Sequence, residues 1–286
     1  MNLQNPKKFK MLVDQAHEVA LHVLRPVSRK YDKAEHAYPK ELDMLASLVD
    51  GMNEGGEGMN AGAAGAGNRS ESDNEGNRNG TNMSTALSII EMCYGDTGLL
   101  LSMPRQGLGN SAIAAVANDE QLERFKGTWA AMAITESGCG SDSAAIRTTA
   151  IKDGDDYILN GEKIFVTSGE RADSVVVWAT LDKKLGRAAI KSFVVPKGTE
   201  GMKVERLEHK LGIKASDTAV ISFIDCRVPA ANLLGNAEVD VAKGFAGVME
   251  TFDNTRPLVA AMAIGCAKAS LERIKEIFKD QLDADY

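Results

Sequence analysis

The sequence predicts an α+β protein with an N-terminal helical domain, a middle β-sandwich or barrel domain and the start of a C-terminal helical bundle. Up to residue 126, apolar residues recur at helical spacing. From Gly127 they occur in short β-branched runs separated by glycine-containing turns, and helical spacing returns at Asp240. The predicted domains are residues 1–127, 128–235 and 236–286.

The N-terminal domain begins with a helical pattern over residues 7–36, in which Pro26 should kink or interrupt the helix. A second helix is predicted from Pro39, with proline in its first turn. The segment 51–83 is rich in Gly, Asn and Glu and has almost no large apolar side chains, so we predict a mobile loop. Further helices are predicted over residues 84–126.

The middle domain is predicted from short runs rich in β-branched and apolar residues. These are Trp129–Ile134, Tyr157–Leu159, Ile164–Thr167, Ser174–Thr180, Ile190–Val195, Met202–Val204 and Ala219–Ile224. Asn160-Gly161 stands between two of these runs and predicts a two-residue hairpin, because both residues tolerate positive φ. In the C-terminal domain, one helical stretch continues to Phe252, and a helix rich in small residues is predicted from Pro257 to about Leu282.

Composition and charge exclude several classes of protein. The net charge of −7 argues against general nucleic-acid binding. No apolar run approaches the roughly 20 residues of a membrane span, and no signal-peptide apolar region is present at the N-terminus. The four cysteines are scattered without a CxxC pair, as in a reducing compartment. We therefore expect a cytoplasmic protein with no membrane span and no nucleic-acid partner.

No metal site is predicted from the spacing of ligand residues. The four histidines form no pattern with the cysteines. His17 and His22 are off the i,i+4 spacing that would place both on one helix face.

Two polar, glycine-containing loops carry the strongest functional signal in the residues themselves. They cover Thr135–Asp142 and Thr167–Gly169, and each follows an apolar run. Small polar side chains and free backbone N–H groups at strand ends suit a flat, anionic cofactor. For either loop alone, an ordinary strand-end turn is the alternative.

Several motifs in the right order resemble the acyl-CoA dehydrogenase family. AITESGCGSD (133–142) resembles the family's VTEPGAGSD signature, and DGDDYILNGEKIFVTSGERAD (153–173) resembles its DGDEYVINGxKxWITNG segment. Similar segments also occur at 93–109, 210–235 and 250–267, so the resemblance covers roughly residues 84–275. It implies the family's fold, cofactor and reaction.

The resemblance implies FAD as the cofactor. Carried over by position, the flavin contacts are Met132, Ala133, Ile134, Thr135, Gly138, Gly140, Ser141, Phe165, Val166 and Thr167. Thr135 would hydrogen-bond the isoalloxazine, Ser141 would lie near the pyrophosphate and the CoA side, and Thr167 would place its hydroxyl at flavin N5. Phe165 stands where Trp is common, which keeps an aromatic face beside the flavin. Ser137 replaces the usual proline and loosens the loop.

The resemblance also implies an acyl-CoA substrate, electron-transfer flavoprotein as a partner, and a homo- or hetero-oligomer. The CoA-side residues would be Ser141, Asp253, Asn254, Thr255 and Arg256. Arg256 would pair with a phosphate or with substrate carbonyls. The alternative is an i,i+3 surface pair between Asp253 and Arg256, worth only a few tenths of a kcal/mol.

The implied reaction is α,β-desaturation of an acyl-CoA thioester in β-oxidation-type catabolism. A carboxylate removes the α-proton while the β-hydrogen leaves as hydride to the flavin, and the base is needed because the α-C–H is a weak acid. No catalytic base is found in this chain: most members carry it farther along the C-terminal domain, and the position used by a minority holds Thr255. We expect a missing C-terminal region or a partner subunit to supply it. The alternative is a non-catalytic flavin- or acyl-CoA-binding subunit of a dehydrogenase complex.

Overall fold

The computed structural model describes residues 7–54, 81–105, 107–239 and 245–279. Helices come first, followed by a sheet and one long helix, which confirms the predicted α+β fold class. The helices are Lys10–Val19 (α1), Arg25–Lys33 (α2), Glu41–Glu54 (α3), Thr81–Gly95 (α4), Thr97–Leu101 (α5), Leu108–Val116 (α6), Asp119–Arg124 (α7) and Ala246–Ile277 (α8). The strands are Ala130–Ala133 (β1), Thr149–Asp153 (β2), Asp156–Thr167 (β3), Ser174–Thr180 (β4), Ile190–Pro196 (β5), Met202–Leu207 (β6) and Thr218–Pro229 (β7). The domain boundaries stay a prediction.

At Pro26 the first helix changes its hydrogen bonding but does not end. Residues Ala20–Leu24 form a π-helical turn between α1 and α2, and the N–H of Arg25 donates to the carbonyl of Ala20. The wider turn relieves the clash between a proline ring and the carbonyl of the preceding turn. The two helices therefore continue one another.

The predicted loop over residues 51–83 is helical at both ends. α3 continues to Glu54 and α4 begins at Thr81, so the prediction is wrong for these residues. Once a helix has formed, each added residue gains one hydrogen bond, so a helix extends past its last apolar contact. The middle of the segment lies outside the described residues.

The strands form one curled, mixed sheet in the order β1-β4-β2-β3-β7-β6, with β5 also paired to β4. β1 and β2 run parallel to β4, and the other pairs are antiparallel. β4 is buried along its whole length. Its alternate residues enter two core clusters: Val175 and Val177 join the cluster around Phe193 and Phe223, and Trp178 joins the cluster against α6. This burial on both faces explains the uninterrupted apolar sequence of β4.

Asn160-Gly161 lies inside β3 and does not form the predicted hairpin turn. β3 continues through this dipeptide while it pairs with β7. Gly161 has a φ of +154°, and a Cβ there would lie 2.4 Å from Thr148 Oγ1. Glycine at this position therefore permits a neighbouring segment to approach the strand closely. The hairpin instead turns at Gly154-Asp155, between β2 and β3, where Gly154 has a φ of +60°.

α8 is a single helix of 32 residues, so the break predicted at Pro257 is absent. Pro257 and Asp253 are both exposed, so water can satisfy the carbonyl that lacks a proline N–H partner. Gly265 brings α8 close to α4, because a Cβ there would lie 2.3 Å from the Ile90 carbonyl oxygen. Among the described residues no helix, including this one, has the length and hydropathy needed to cross a membrane.

Gly265→Val should destabilise the protein by about 2–3 kcal/mol, because the added side chain would push α8 away from α4. The free energy of unfolding in urea, followed by circular dichroism, measures this change. Gly212→Val is the matched control, since a Cβ at Gly212 would meet no atom within 4 Å in the part of the chain that the structure describes. It should change stability by no more than about 0.5 kcal/mol. Equal stabilities of the two variants would contradict the close α4–α8 contact.

Candidate functional site

The loop after β1 and the end of β3 lie side by side and line one cavity. The Thr135 carbonyl accepts a hydrogen bond from the N–H of Ile164 at 2.9 Å, which joins the loop to the strand. The cavity has a volume of about 420 Å³. Its remaining wall comes chiefly from α8, through Phe252, Thr255, Arg256 and Val259. Two loops far apart in the sequence thus meet one face of a helix.

Most of the residues predicted to contact a flavin line this cavity. They are Met132, Ile134, Thr135, Gly140, Ser141, Phe165 and Thr167. The side chains of Ala133 and Val166 do not, because both enter the core cluster on the other side of the sheet. This follows from the alternation of side chains along a strand. Gly138 is exposed in the turn of the first loop and is also outside the lining.

A bulge in β3 brings Phe165 to the cavity. The register between β3 and β7 shifts between Lys163 and Val166. Phe165 and Ser168 have φ values of +58° and +60°, a left-handed conformation that is uncommon outside glycine and recurs at ligand sites. Phe165 is 60% exposed. Its aromatic ring is therefore open to packing against a flat ligand.

A buried ion pair, which sequence reasoning missed, joins the first loop to β3. Lys163 is fully buried, and its Nζ lies 2.8 Å from Glu136 Oε1 and donates to the Ile134 carbonyl at 3.1 Å. Glu136 also accepts hydrogen bonds from the N–H groups of Arg147 and Thr148 and from the Thr148 hydroxyl. Burial raises the pKa of Glu136. The charge of Lys163 and these hydrogen bonds together lower it by more than burial raises it, so the pKa lies below the usual value. The pair fixes the start of the first loop.

The polar groups around the cavity are available to a ligand. The hydroxyls of Thr135, Ser141 and Thr167 make no hydrogen bond to any residue in the described part of the chain, and neither does the N–H of Gly140. A Cβ at Gly138 or Gly140 would meet no atom of the described residues within 4 Å, so no contact with them requires glycine there. Glycine instead leaves room for a ligand to approach the backbone. Hydroxyl donors, open N–H groups and an exposed aromatic ring fit the polar edge and flat face of a flavin.

A second, largely aliphatic cavity of about 370 Å³ adjoins the first. Its walls include Leu100, Leu101, Ile213, Leu258 and Met262. The two cavities share the residues Leu108, Thr167, Thr255 and Val259. An aliphatic chain bound in the second cavity would therefore lie next to a ligand bound in the first, a combination that suits an acyl group.

The predicted CoA-side residues of α8 divide into two groups. Thr255 is buried and lines both cavities, and Arg256 lines the first. Asp253 and Asn254 line neither cavity. Arg256 also pairs with Asp253 at 3.4 Å, with both side chains more than half exposed. Because such a surface pair is weak, an anionic ligand can compete for the guanidinium group.

Among the described residues, no aspartate or glutamate lines either cavity. Thr255 stands at their junction, and its hydroxyl donates to the Thr251 carbonyl at 3.0 Å. A threonine hydroxyl is too weak a base to remove a carbon-bound proton. This part of the chain thus offers hydrogen-bond donors and an apolar chamber, but no carboxylate next to them.

Known proteins resemble this chain in sequence and in structure. The family model for the acyl-CoA dehydrogenase middle domain matches residues 131–226. An acryloyl-CoA reductase (NADH) of Anaerotignum propionicum is 33% identical over 95% of this chain and 66% of its own length. A mitochondrial short-chain specific acyl-CoA dehydrogenase of Rattus norvegicus is 31% identical over 95% of this chain and 63% of its own length. The chain thus spans slightly less than two thirds of the length of these curated relatives.

Among solved structures, butyryl-CoA dehydrogenase from Megasphaera elsdenii superimposes with a TM-score of 0.78 at 29% identity. The match covers 100% of this chain and 72% of that one. The likeness therefore extends over the helices as well as the sheet.

Proposed function

This chain belongs to the acyl-CoA dehydrogenase family, and on that basis we propose that it takes part in FAD-dependent α,β-desaturation of an acyl-CoA thioester. The observation that carries the proposal is the wall shared by the two cavities, which would bring an acyl chain beside a flavin at Thr167 and Thr255. When bound, FAD supplies a hydride acceptor. The protein's own residues bind and orient the two molecules.

We assign the cavity-lining hydroxyls to FAD. Thr135 and Ser141 would hold its polar groups together with the open N–H of Gly140, and Phe165 would pack against its flat face. The Thr167 hydroxyl would lie at flavin N5, where a hydrogen-bond donor would stabilise negative charge on the bound cofactor. Their lack of hydrogen-bond partners among the described residues supports this assignment.

We assign the second cavity to the acyl chain and Arg256 to the CoA side of the substrate. Arginine suits that place because its guanidinium binds phosphate or carbonyl oxygens through several N–H donors. The names of the similar proteins support a short acyl chain as the first substrate to test.

We propose that the base that removes the α-proton comes from outside the lining of these two cavities, from a C-terminal region or from a partner subunit. The lack of a lining carboxylate among the described residues also favours a second candidate function, that of a non-catalytic flavin- or acyl-CoA-binding subunit of a dehydrogenase complex. Electron-transfer flavoprotein is the proposed electron acceptor, and a homo- or hetero-oligomer the proposed assembly. The four free thiols support a cytoplasmic location.

Anaerobic mixing with butyryl-CoA distinguishes the two candidate functions. We expect the FAD-loaded protein, in its native complex, to lose the long-wavelength absorption of oxidised flavin when butyryl-CoA is added. Free CoA is the control and should cause no bleaching. A shift of the flavin spectrum without bleaching would instead identify the non-catalytic binding subunit.

A further inference from the structure

A glutamate and two histidines meet outside the lining of the two cavities. Glu35 and His36 follow α2, and His209 follows β6. One ligand atom from each of the three side chains lies within 4.8 Å of the other two. We infer that Glu35, His36 and His209 bind a divalent transition-metal ion of the zinc type. None of the three takes part in the proposed flavin or acyl-CoA site.

The Glu35 carboxylate is oriented for this role. Its Oε1 accepts the N–H of Lys210 at 2.9 Å, and its Oε2 lies 2.9 Å from His209 Nδ1. One oxygen is thus fixed by the backbone, while the other faces an imidazole.

His36 supplies an observation independent of the Glu35–His209 pair. Both of its ring nitrogens are buried, and neither has a hydrogen-bond partner among the residues that the structure describes. A buried polar group left unsatisfied destabilises a protein, so such groups call for a physical reason. The ring centroids of His36 and His209 are 5.4 Å apart, and a ring nitrogen of His36 lies within 4.8 Å of a ligand atom of each of the other two residues.

The backbone holds His36 in this position. Its φ is +69°, a left-handed conformation that surrounding contacts must maintain. Arg171 provides those contacts by donating to the carbonyls of His36 and Ala37 at 3.2 and 2.8 Å. The strain is therefore located at the residue whose nitrogens lack partners.

The ligand set indicates the class of metal. Two imidazole nitrogens and one carboxylate oxygen suit Zn²⁺ and its neighbours better than Ca²⁺ or Mg²⁺, which prefer oxygen ligands. Water would complete the coordination. The metal would link the segment after α2 to the segment between β6 and β7. Lys214, whose carbonyl accepts the N–H of His36 at 3.5 Å, carries a positive charge that opposes a cation there, so removing its charge should tighten binding.

Zinc binding to the full chain tests the inference, with ZnCl₂ in competition with a chromophoric chelator as the measurement. We expect one Zn²⁺ per chain and a loss of affinity of about tenfold or more in His209→Ala, since even outer-shell changes reach that size. The His209 side chain is 84% exposed, so its removal should leave the fold intact. Lys214→Gln should bind Zn²⁺ more tightly than the unaltered protein.

Two control variants make the assignment specific. His22→Ala removes a histidine that is 73% exposed and pairs with Glu18, and it should leave zinc affinity unchanged. Cys266→Ser removes the exposed thiol and should also have no effect. The inference is overturned if no stoichiometric binding is found, or if His209→Ala binds Zn²⁺ as tightly as the unaltered protein.

Discussion

Lys163→Met should destabilise the protein by about 3–5 kcal/mol, because it leaves the buried Glu136 carboxylate without its counter-charge. The lysine has no exposed surface and lies 2.8 Å from that carboxylate. Urea unfolding at neutral pH measures the loss. Since the pair fixes the loop that carries Thr135, FAD affinity should fall as well.

The pH dependence of this loss identifies its cause. The folded-state pKa of Glu136 in the unaltered protein lies below its usual value of 4.5, so its stabilising contribution is present above that pH and is lost as the pH falls through the folded pKa. The loss of stability in Lys163→Met should therefore become smaller in acid, where the unpaired carboxyl becomes neutral.

Lys203→Met is the matched control, because Lys203 pairs with Glu205 but is 71% exposed. It should lower the free energy of unfolding by less than about 1 kcal/mol. A Lys163→Met protein as stable as the control would show that the pair does not hold the loop.

Thr255→Glu should accelerate flavin reduction by butyryl-CoA by about 10²–10⁴-fold over the unaltered chain, the usual contribution of a positioned general base. Thr255 is buried and lines both cavities, so a carboxylate there would lie between the two ligands. Burial raises the pKa of a carboxyl group, which brings it closer to the working pH. Stopped-flow absorbance of the FAD-loaded chain under anaerobic conditions gives the rate.

Thr255→Gln is the matched variant for this experiment. It has nearly the same size and polarity as Thr255→Glu but cannot accept the proton, so its flavin should be reduced no faster than that of the unaltered chain. Both variants must retain FAD and bind butyryl-CoA. If they then react at the same rate, Thr255 does not face the α-carbon, and the assignment of the two cavities is wrong.

The order of helices and strands was predictable because it depends on local periodicity. The failures come from contacts between segments distant in sequence. The dipeptide Asn160-Gly161 predicts a hairpin turn, but the glycine lies inside β3, where it leaves room for the close approach of Thr148. Pro257 predicts the start of a helix, but it lies inside α8, which begins at Ala246.

The candidate site was predictable in part for the same reason. The loop after β1 and the end of β3 stand out by their residue types and by the family resemblance, although their contacts with FAD stay a prediction. Burial of Lys163 is not visible in the sequence, since a bulge in β3 disturbs the alternation around it. The local signal was a charged residue directly before the apolar residues Ile164, Phe165 and Val166. Glu35 and His209 are 174 positions apart, so spacing rules could not join them.

The assignment of the cavity beside β1 and β3 to FAD is the claim on which the other functional conclusions depend. Titration of the purified chain with FAD, followed by flavin fluorescence, tests it most directly when Gly140→Val is compared with the unaltered protein and with Gly212→Val. A Cβ at either glycine meets open space, so neither change should disturb the fold. We predict one FAD per chain and binding weakened about 10- to 100-fold by Gly140→Val alone, the equivalent of roughly 1–3 kcal/mol of steric cost. Equal FAD affinity in all three proteins would contradict the account.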